Sequence, residues 1–506
     1  MKNDLFKKID WFTTLVPFAC ILVLCILFML FPDGSTTTLD AIRSFAGDDL
    51  GSYYLVIGLG MFLVSIYMAF SRFGDIRLGG ENEKPAYSYF KWGSMMFTAG
   101  LAADILFYSL CEWILYANED YIANYGSMQD WASTFPLFHW GPIPWAFYMV
   151  LAVAFGFMIH VRKVNKQKYS EACRPLLGKH IDGWAGRIID LLAVFALIAG
   201  TATTFALATP LLSQCICRVL GISDSAAISV IILAFICVVY TICALKGIKG
   251  VSWLAASCTY LFMALLVFVL LFGGQTRYIV ETGLSAIGNV VQNFFGLATR
   301  TDPLRLTSFP QNWTIFYWAY WMVWCVATPF FIGQISKGRT IRQVILGGYA
   351  FGLAGTWFSF IILGNYGLGL QMFGKLDVLG QYAAGGNLYT TIISIVETLP
   401  LSKVVLILLA ITMIAFYATS FDSISLVAAS YSYKNLQAEE EPDKRLRFFW
   451  SILLILLPIA FLFAESSMTN LQTVSIIAAL PIGIIMILMV WSFFKDAGKY
   501  LKEKKA

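Results

Sequence analysis

Four groups of residues in this chain have types and spacings suited to chemistry. Trp318, Trp321 and Trp324 recur every third residue in Phe316-Tyr317-Trp318-Ala319-Tyr320-Trp321-Met322-Val323-Trp324, so on a helix they share one side. Tryptophans also collect in the aromatic belt at a membrane interface. Three on one side with Tyr320 adjacent exceed what a belt needs. Such a surface binds a cation through its ring faces, for up to about 2 kcal/mol when desolvated, and asks no hydrogen bond of a methylated nitrogen. Trp145 and Tyr148 form a second aromatic pair on one face, behind Gly141-Pro142-Ile143-Pro144, whose prolines suit a helix start. The third group is Asp104, at the end of Thr98-Ala99-Gly100-Leu101-Ala102-Ala103. Small residues there permit close approach of a ligand or of a neighbouring helix. The fourth is Thr419-Ser420 in Phe416-Tyr417-Ala418-Thr419-Ser420-Phe421-Asp422-Ser423. Its hydroxyls either bond back to their own helix or offer hard oxygens to a small cation.

All four groups lie inside long apolar runs. Of 506 residues, 59% are hydrophobic and 13% charged, too few charges to cover a soluble fold. Runs able to cross roughly 30 Å of hydrocarbon occupy residues 12–31, 53–71, 92–116, 143–160, 188–214, 226–245, 251–273, 312–333, 343–366, 402–431, 447–464 and 470–494. The fold class is therefore an all-α polytopic membrane protein with twelve transmembrane helices. The first run follows Lys2, Lys7 and Lys8; it is too long for a signal peptide and lacks a small-residue cleavage site, so it reads as the first span. With the N-terminus inside, the inner segments hold 28 Lys and Arg and the outer segments 7. This bias places both termini in the cytoplasm, in a multi-pass protein of the cell membrane.

In this setting Asp104 is the costly residue. A mid-span carboxylate costs roughly 2.5–3.5 kcal/mol on the insertion scale and marks a cavity, a partner or a proton path. No Lys or Arg lies mid-span to pair with it. Trp113 is assigned to the outer interface. Between residues 274 and 311, Ile287, Val290, Val291, Phe294 and Phe295 share one face with Asn289, Gln292 and Asn293 opposite, an amphipathic helix on the membrane or the protein surface. The segment QAEEEPDKRLR at 437–447 reads as a solvated charge cluster.

Several classes fall away. The net charge of +5 forms no nucleic-acid stripe. No CxxC pair occurs, and cysteines such as Cys20, Cys25, Cys237, Cys243 and Cys258 sit in apolar runs as packing residues. HExxH and G-x-S-x-G are absent, and no histidine is expected deep in a span, with His160 at an edge. Neither a metal site, a cofactor nor an enzyme is expected.

The chain resembles the betaine/carnitine/choline transporter family over its whole length. The resemblance rests on MMFTAG at 95–100, HWGPIPWAFY at 139–148, FPQNWTIFYWAYW at 309–321, QISKGRT at 334–340 and TSFDS at 419–423. It implies a LeuT-like core of two inverted five-helix repeats, spans 3–7 and 8–12, whose first helices flank a midplane site. The implied division is a two-span peripheral segment at 1–91, a first repeat at 92–275 and an extracytoplasmic connection at 276–311. A second repeat at 312–494 and a cytoplasmic tail at 495–506 complete it. A homotrimer in lipid is implied, carrying a quaternary-ammonium solute by alternating access. The family's aromatic box maps onto Trp140, Trp145, Tyr148 and Trp321, with Tyr320 and Trp324 on the inward path.

The same resemblance gives conflicting signs for the coupling ion. Asp104 stands where proton-coupled choline transporters carry Asp, and Thr419 and Ser420 match the hydroxyl pair of sodium-coupled members. The second sodium site is half matched, by Thr201 with Leu197 in place of a hydroxyl. Carnitine/γ-butyrobetaine antiporters, which need no ion, place Arg and Met where this chain has Cys258 and Thr328, yet HWGPIPWA and Leu207-Ala208-Thr209-Pro210 resemble them. H⁺ is favoured over Na⁺ as the coupling ion, with ion-independent antiport as the alternative.

Overall fold

A computed structural model describes residues 6–164, 166–245, 248–385, 387–437, 440–463 and 468–504. The side chains of 240–256 and of Phe463 lie outside that description, and with them Cys243, Lys246 and Lys249; so do Ala438 and Glu439 of the charge cluster. The regular structure among the described residues is helix, joined by turns and loops, with three isolated β-bridges and no strand. A helix is the economical answer in lipid, because every backbone donor and acceptor within it is paired along the same segment.

Among the described residues, each of the twelve expected spans is helix over most of its length. Eight are long and apolar enough to cross a membrane by themselves. The third and eighth spans are bent pairs, Tyr89–Thr98 with Ala103–Ala117 at 62° and Pro310–Trp324 with Thr328–Ile335 at 55°. The seventh turns by 112° into the helix Thr276–Ala298. The sixth is Ala226–Leu245.

Position in the bundle follows from how much of each helix is covered. Over its most apolar eighteen residues, span 1 (Trp11–Leu30) is 28% buried, and Leu24, Ile26 and Leu30 face outward. By the same measure span 2 (Gly51–Phe70) is 44% buried, span 4 (Met128–Val161) 94% and span 5 (Trp184–Leu220) 83%. Span 1 is therefore the least covered of these, and spans 4 and 5 form the centre. Close helix contact at that centre depends on glycine. A Cβ on Gly333 of span 8 would lie 2.7 Å from the Ala152 carbonyl oxygen and 2.8 Å from the Gly156 nitrogen of span 4, and both neighbours are backbone. Gly333→Val should therefore separate the two helices. The expected result is a loss of at least the 1–3 kcal/mol of an overpacked core, measured as a lowered thermal midpoint in detergent.

Several expectations need correction. Span 4 starts fifteen residues earlier than 143, because Met128–His139 is a helix that joins Pro142–Gly156 through Trp140 and Gly141. Its Pro136 and polar start conceal it from an apolar-run reading. Span 12 runs past its expected end at 494, as one unbroken helix to Glu503. The extension is held by Arg162, which bonds Asp496 at 2.9 Å and Glu503 at 3.1 Å. In Thr276–Ala298, Val290 and Phe294 are buried while Val291 and Phe295 are exposed, so the five apolar residues do not form one buried face. The buried stripe runs instead through Ile279, Gly283, Ala286, Val290, Phe294 and Leu297, and Asn289 bonds Thr134 at 3.3 Å. Between spans 9 and 10, Leu388–Glu397 is a further helix. Trp113 is buried at 1% exposure rather than interfacial, with Gly364 and Gly367 of span 9 beneath its ring. Trp113→Ala should cost about 3–5 kcal/mol of stability as a core truncation. A midpoint equal to that of the parent would return it to the interface.

Candidate substrate site

The bends in spans 3 and 8 frame one cavity of about 490 Å³. In span 3 the helix stops at Thr98 and restarts at Ala103, and the small residues Ala99, Gly100 and Ala102 line the cavity. The same break also packs tightly: a Cβ on Gly355 of span 9 would lie 2.3 Å from the Phe97 carbonyl oxygen. Both roles of the small residues, open wall and close packing, are thus filled. In span 8 the break falls at residues 325–327, just before Pro329, and the Tyr169 hydroxyl donates to the freed Cys325 carbonyl at 2.6 Å. A broken helix is tolerated at this depth where such a partner or a cavity meets the freed groups.

Trp321 is the hub of the aromatic box. Its ring centroid is 4.8 Å from Tyr148, 5.5 Å from Trp140 and 6.0 Å from Trp145, at interplanar angles of 57–71°. The four rings predicted from HWGPIPWAFY and span 8 therefore come together. Trp140, Tyr148 and Trp321 line the cavity, with Tyr320 and Trp324 further along its wall. Trp145 stands behind them, fully buried against Tyr148 at 5.7 Å. Thr356 of span 9 fixes this corner: its hydroxyl bonds the Trp140 carbonyl at 2.9 Å and accepts the Trp145 indole N–H at 3.3 Å. Thr356 carried no signal in the sequence, as a single Thr within an apolar run. Trp318, by contrast, faces away, against Gly58 of span 2, so the three-residue spacing does not bring all three tryptophans of span 8 to the site.

Asp104 lies in the first turn of Ala103–Ala117, at the positive end of that helix. It is 4% exposed and faces the cavity. Its partner is a phenol, not a cation: Tyr320 donates to Asp104 Oδ2 at 2.5 Å, and Thr204 of span 5 bonds the Tyr320 hydroxyl in turn. Tyr320 thus belongs as much to Asp104 as to the aromatic wall. Thr419 and Ser420 line the same cavity, and the Thr419 hydroxyl donates to its own helix at Phe416 O, 2.9 Å away. Cys258 and Thr328 complete that side.

The sequence reading overlooked a second buried acid. Glu112 is fully buried about two turns further along the helix of Asp104. The rule that singled out Asp104, a carboxylate inside an apolar run, applies equally to it. His139 is also fully buried, which overturns the expectation that no histidine sits deep in a span. It escaped notice because Met128–His139 read as a loop.

The cavity opens toward the end of the bundle that carries Ile9 and Glu503. Its mouth includes Gln167, Gln334, Asp422 and Ser423, none of them buried, and beyond it Tyr433 pairs with Ile9. Asp422 is ion-paired there with Arg447. The opposite end is shut by packed rings: Tyr121 on Phe309 at 4.8 Å, Phe135 on Phe309 at 4.7 Å and Tyr116 against Trp313 at 5.1 Å.

A multi-pass helical protein with broken spans around a buried cavity, sealed at one end and open at the other, has the form of a solute carrier. The family model for BCCT, the betaine/carnitine/choline family of transporters, matches residues 12–502, and the chain belongs to that family. It is a transporter and not an enzyme. Among curated relatives, the uncharacterized transporter YeaV of Escherichia coli K12 is 28% identical over 86% of this chain and 91% of its own. A probable glycine betaine transporter of Desulfitobacterium hafniense Y51 is 29% identical over 92% of each chain. A Na⁺-coupled sialic acid symporter, solved substrate-bound and outward-open, aligns with 90% of this chain and 86% of its own at 14% identity and a TM-score of 0.40.

Proposed function

We propose that the protein is a secondary transporter of a small trimethylammonium solute, of the betaine, carnitine or choline class, with proton movement linked through Asp104. The observation that carries this reading is Trp321 in contact with Trp140, Trp145 and Tyr148 at the wall of a cavity that Asp104 also lines. Ring faces supply attraction to a cation without demanding a donor from it. The Lys and Arg bias places the end with Ile9 and Glu503 in the cytoplasm, so the open mouth faces inward and the ring-packed end is the closed outer gate. Alternating access then exchanges which end is sealed. Spans 3–7 and 8–12 serve as the two inverted repeats, each starting with a bent helix at the site. The working assembly is a homotrimer in the cell membrane. The alternative is ion-independent antiport of carnitine-type substrate and product, and Thr419 bonded to its own helix favours it over sodium symport.

The test is binding followed by labelled flux in proteoliposomes. Betaine, carnitine, γ-butyrobetaine and choline are compared by saturable quenching of tryptophan fluorescence. At least one is expected to bind clearly better than its neutral isostere, in which tert-butyl replaces trimethylammonium. Equal binding of the isostere would remove the cation from the argument. Uptake driven by a proton gradient separates coupled transport from antiport, which needs solute on the opposite side.

A further inference from the structure

Between the aromatic box and the outer seal lies a chain of polar groups that the transport reading does not use. Glu112 Oε2 accepts the Trp140 indole N–H at 2.8 Å. Its Oε1 meets the Tyr116 hydroxyl at 2.5 Å, and that hydroxyl meets His139 Nδ1 at 2.6 Å. His139 Nε2 meets the Thr314 hydroxyl at 3.0 Å. His139 lies 3.7 Å from Glu112 and stacks on Tyr317 at 4.9 Å and 15°. Glu112 and His139 are fully buried, Thr314 is 3% exposed, and Tyr116 packs in the outer seal against Trp313 and Phe309.

This chain can hold either of two proton counts without breaking a bond. With Glu112 ionised, the Tyr116 hydroxyl donates to Oε1, His139 Nδ1–H donates to the Tyr116 oxygen, and Thr314 donates to His139 Nε2. With one proton added, Glu112 Oε1–H donates to the Tyr116 oxygen, Tyr116 donates to His139 Nδ1, and His139 Nε2–H donates to the Thr314 oxygen. Each oxygen and ring nitrogen has the donors and lone pairs for both arrangements. The second state contains one more proton, and its net charge rises from −1 to 0. Trp140 N–H stays on Oε2 in both, but to an ionised oxygen the bond is roughly twice as strong.

We propose that Glu112, Tyr116, His139 and Thr314 form a proton-binding site of their own, distinct from Asp104, whose occupancy sets how firmly Trp140 is tethered at the outer end of the box. Eight residues separate the two acids, about 12 Å along the helix. The other titratable groups near Glu112 and its helix are Tyr108 and Cys111 on that helix, Glu119 just past its end and bonded to Trp313, Tyr148 on span 4, Tyr317 and Tyr320 on span 8, Tyr382 and Tyr389 between spans 9 and 10, and Tyr417 on span 10. Phenols and thiols are not expected to change charge between pH 5 and 8, so within that range the site's charge is set by Glu112 and His139.

The link to Trp140 rests on the transport reading, but the proton site is testable without solute. Infrared difference spectra of the purified full-length protein between pH 5 and pH 8 should contain the C=O stretch of a buried protonated carboxyl. Asp104, which the transport reading also lets titrate, contributes a band of its own, so the comparison is made on the Asp104→Asn background, where Glu112→Gln should remove the band that remains. A spectrum on that background unchanged by Glu112→Gln overturns the proposal. Glu112→Gln also copies the protonated state, since its amide donates to Tyr116 and its carbonyl accepts from Trp140. Solute affinity, referred to the parent at each pH, should then be lower by roughly 3–10-fold at pH 8 and equal at pH 5; a constant ratio overturns the tether. If Glu112→Gln fails to insert, Tyr116→Phe cuts the chain while leaving the acid. The band's midpoint should then move to higher pH by a unit or more, because a donor to the carboxylate is lost. An unmoved midpoint overturns the relay. Failure of all trimethylammonium binding with the band intact would reject the transport reading alone.

Discussion

Asp104→Asn is expected to abolish proton-driven accumulation while sparing exchange of solute between equal pools. The substitution keeps size and shape. The carbonyl oxygen of the new amide can still accept the Tyr320 hydroxyl that now reaches Asp104 at 2.5 Å, so the wall of the cavity should hold. What is lost is the ability to take up and release a proton next to the solute. Uptake and exchange measured across pH 5–8 separate three roles. A proton carrier loses accumulation only. An acid that pairs with the solute's ammonium loses binding as well, most of all for choline, which has no carboxylate of its own to repel. Unchanged uptake and exchange would reduce Asp104 to a structural residue held by Tyr320. Tyr320→Phe adds a check of direction. Removing its donated bond takes away a stabiliser of the ionised acid, so the pH profile of uptake should move to higher pH.

Trp321→Ala is expected to weaken solute binding by roughly 1–2 kcal/mol, about 5–30-fold, the scale of a desolvated cation–π contact. Trp321 touches all three other rings of the box, so its loss also frees Tyr148 and Trp140 to tilt. Trp321→Phe keeps a ring face and should recover part of the loss. A proper control must be a tryptophan outside the core. Trp113 is unsuitable because it is buried, whereas Trp491 of span 12 is 63% exposed on the outer surface of the bundle. Trp491→Phe should leave affinity unchanged. Equal losses at Trp321 and Trp491, read by titration of tryptophan fluorescence or of labelled solute, would mean that the rings form a belt rather than a site.

The sequence by itself determined the membrane setting, the helical segments and the rings that meet around Trp321. Lipid makes these legible: a span must be apolar for its whole length, so its exceptions stand out one residue at a time. Asp104 and the tryptophans of span 8 are visible for that reason, and the motifs shared with the family join the two aromatic clusters. Glu112 was equally legible and went unread. Other features were decided only in three dimensions. Which of Trp318, Trp321 and Trp324 meets a ligand depends on the bend in span 8 and on the neighbour each side meets, and Trp318 turns toward Gly58 instead. Whether a tryptophan lies in a belt or in the core depends on what covers it, and two glycines of span 9 admit Trp113 to the interior. The helix Met128–His139 is polar and only half-buried at its start, and in its buried part Ser133 and His139 bond Asn365 and Thr314 of neighbouring helices. Its apolar pattern was therefore weak, and with it His139 stayed hidden. Hydrogen-bond partners such as Thr356 with Trp145, Tyr320 with Asp104 and His139 with Tyr116 join helices far apart in the chain. Spacing along a sequence fixes which side of a helix a residue occupies, but the packing of helices fixes what stands opposite.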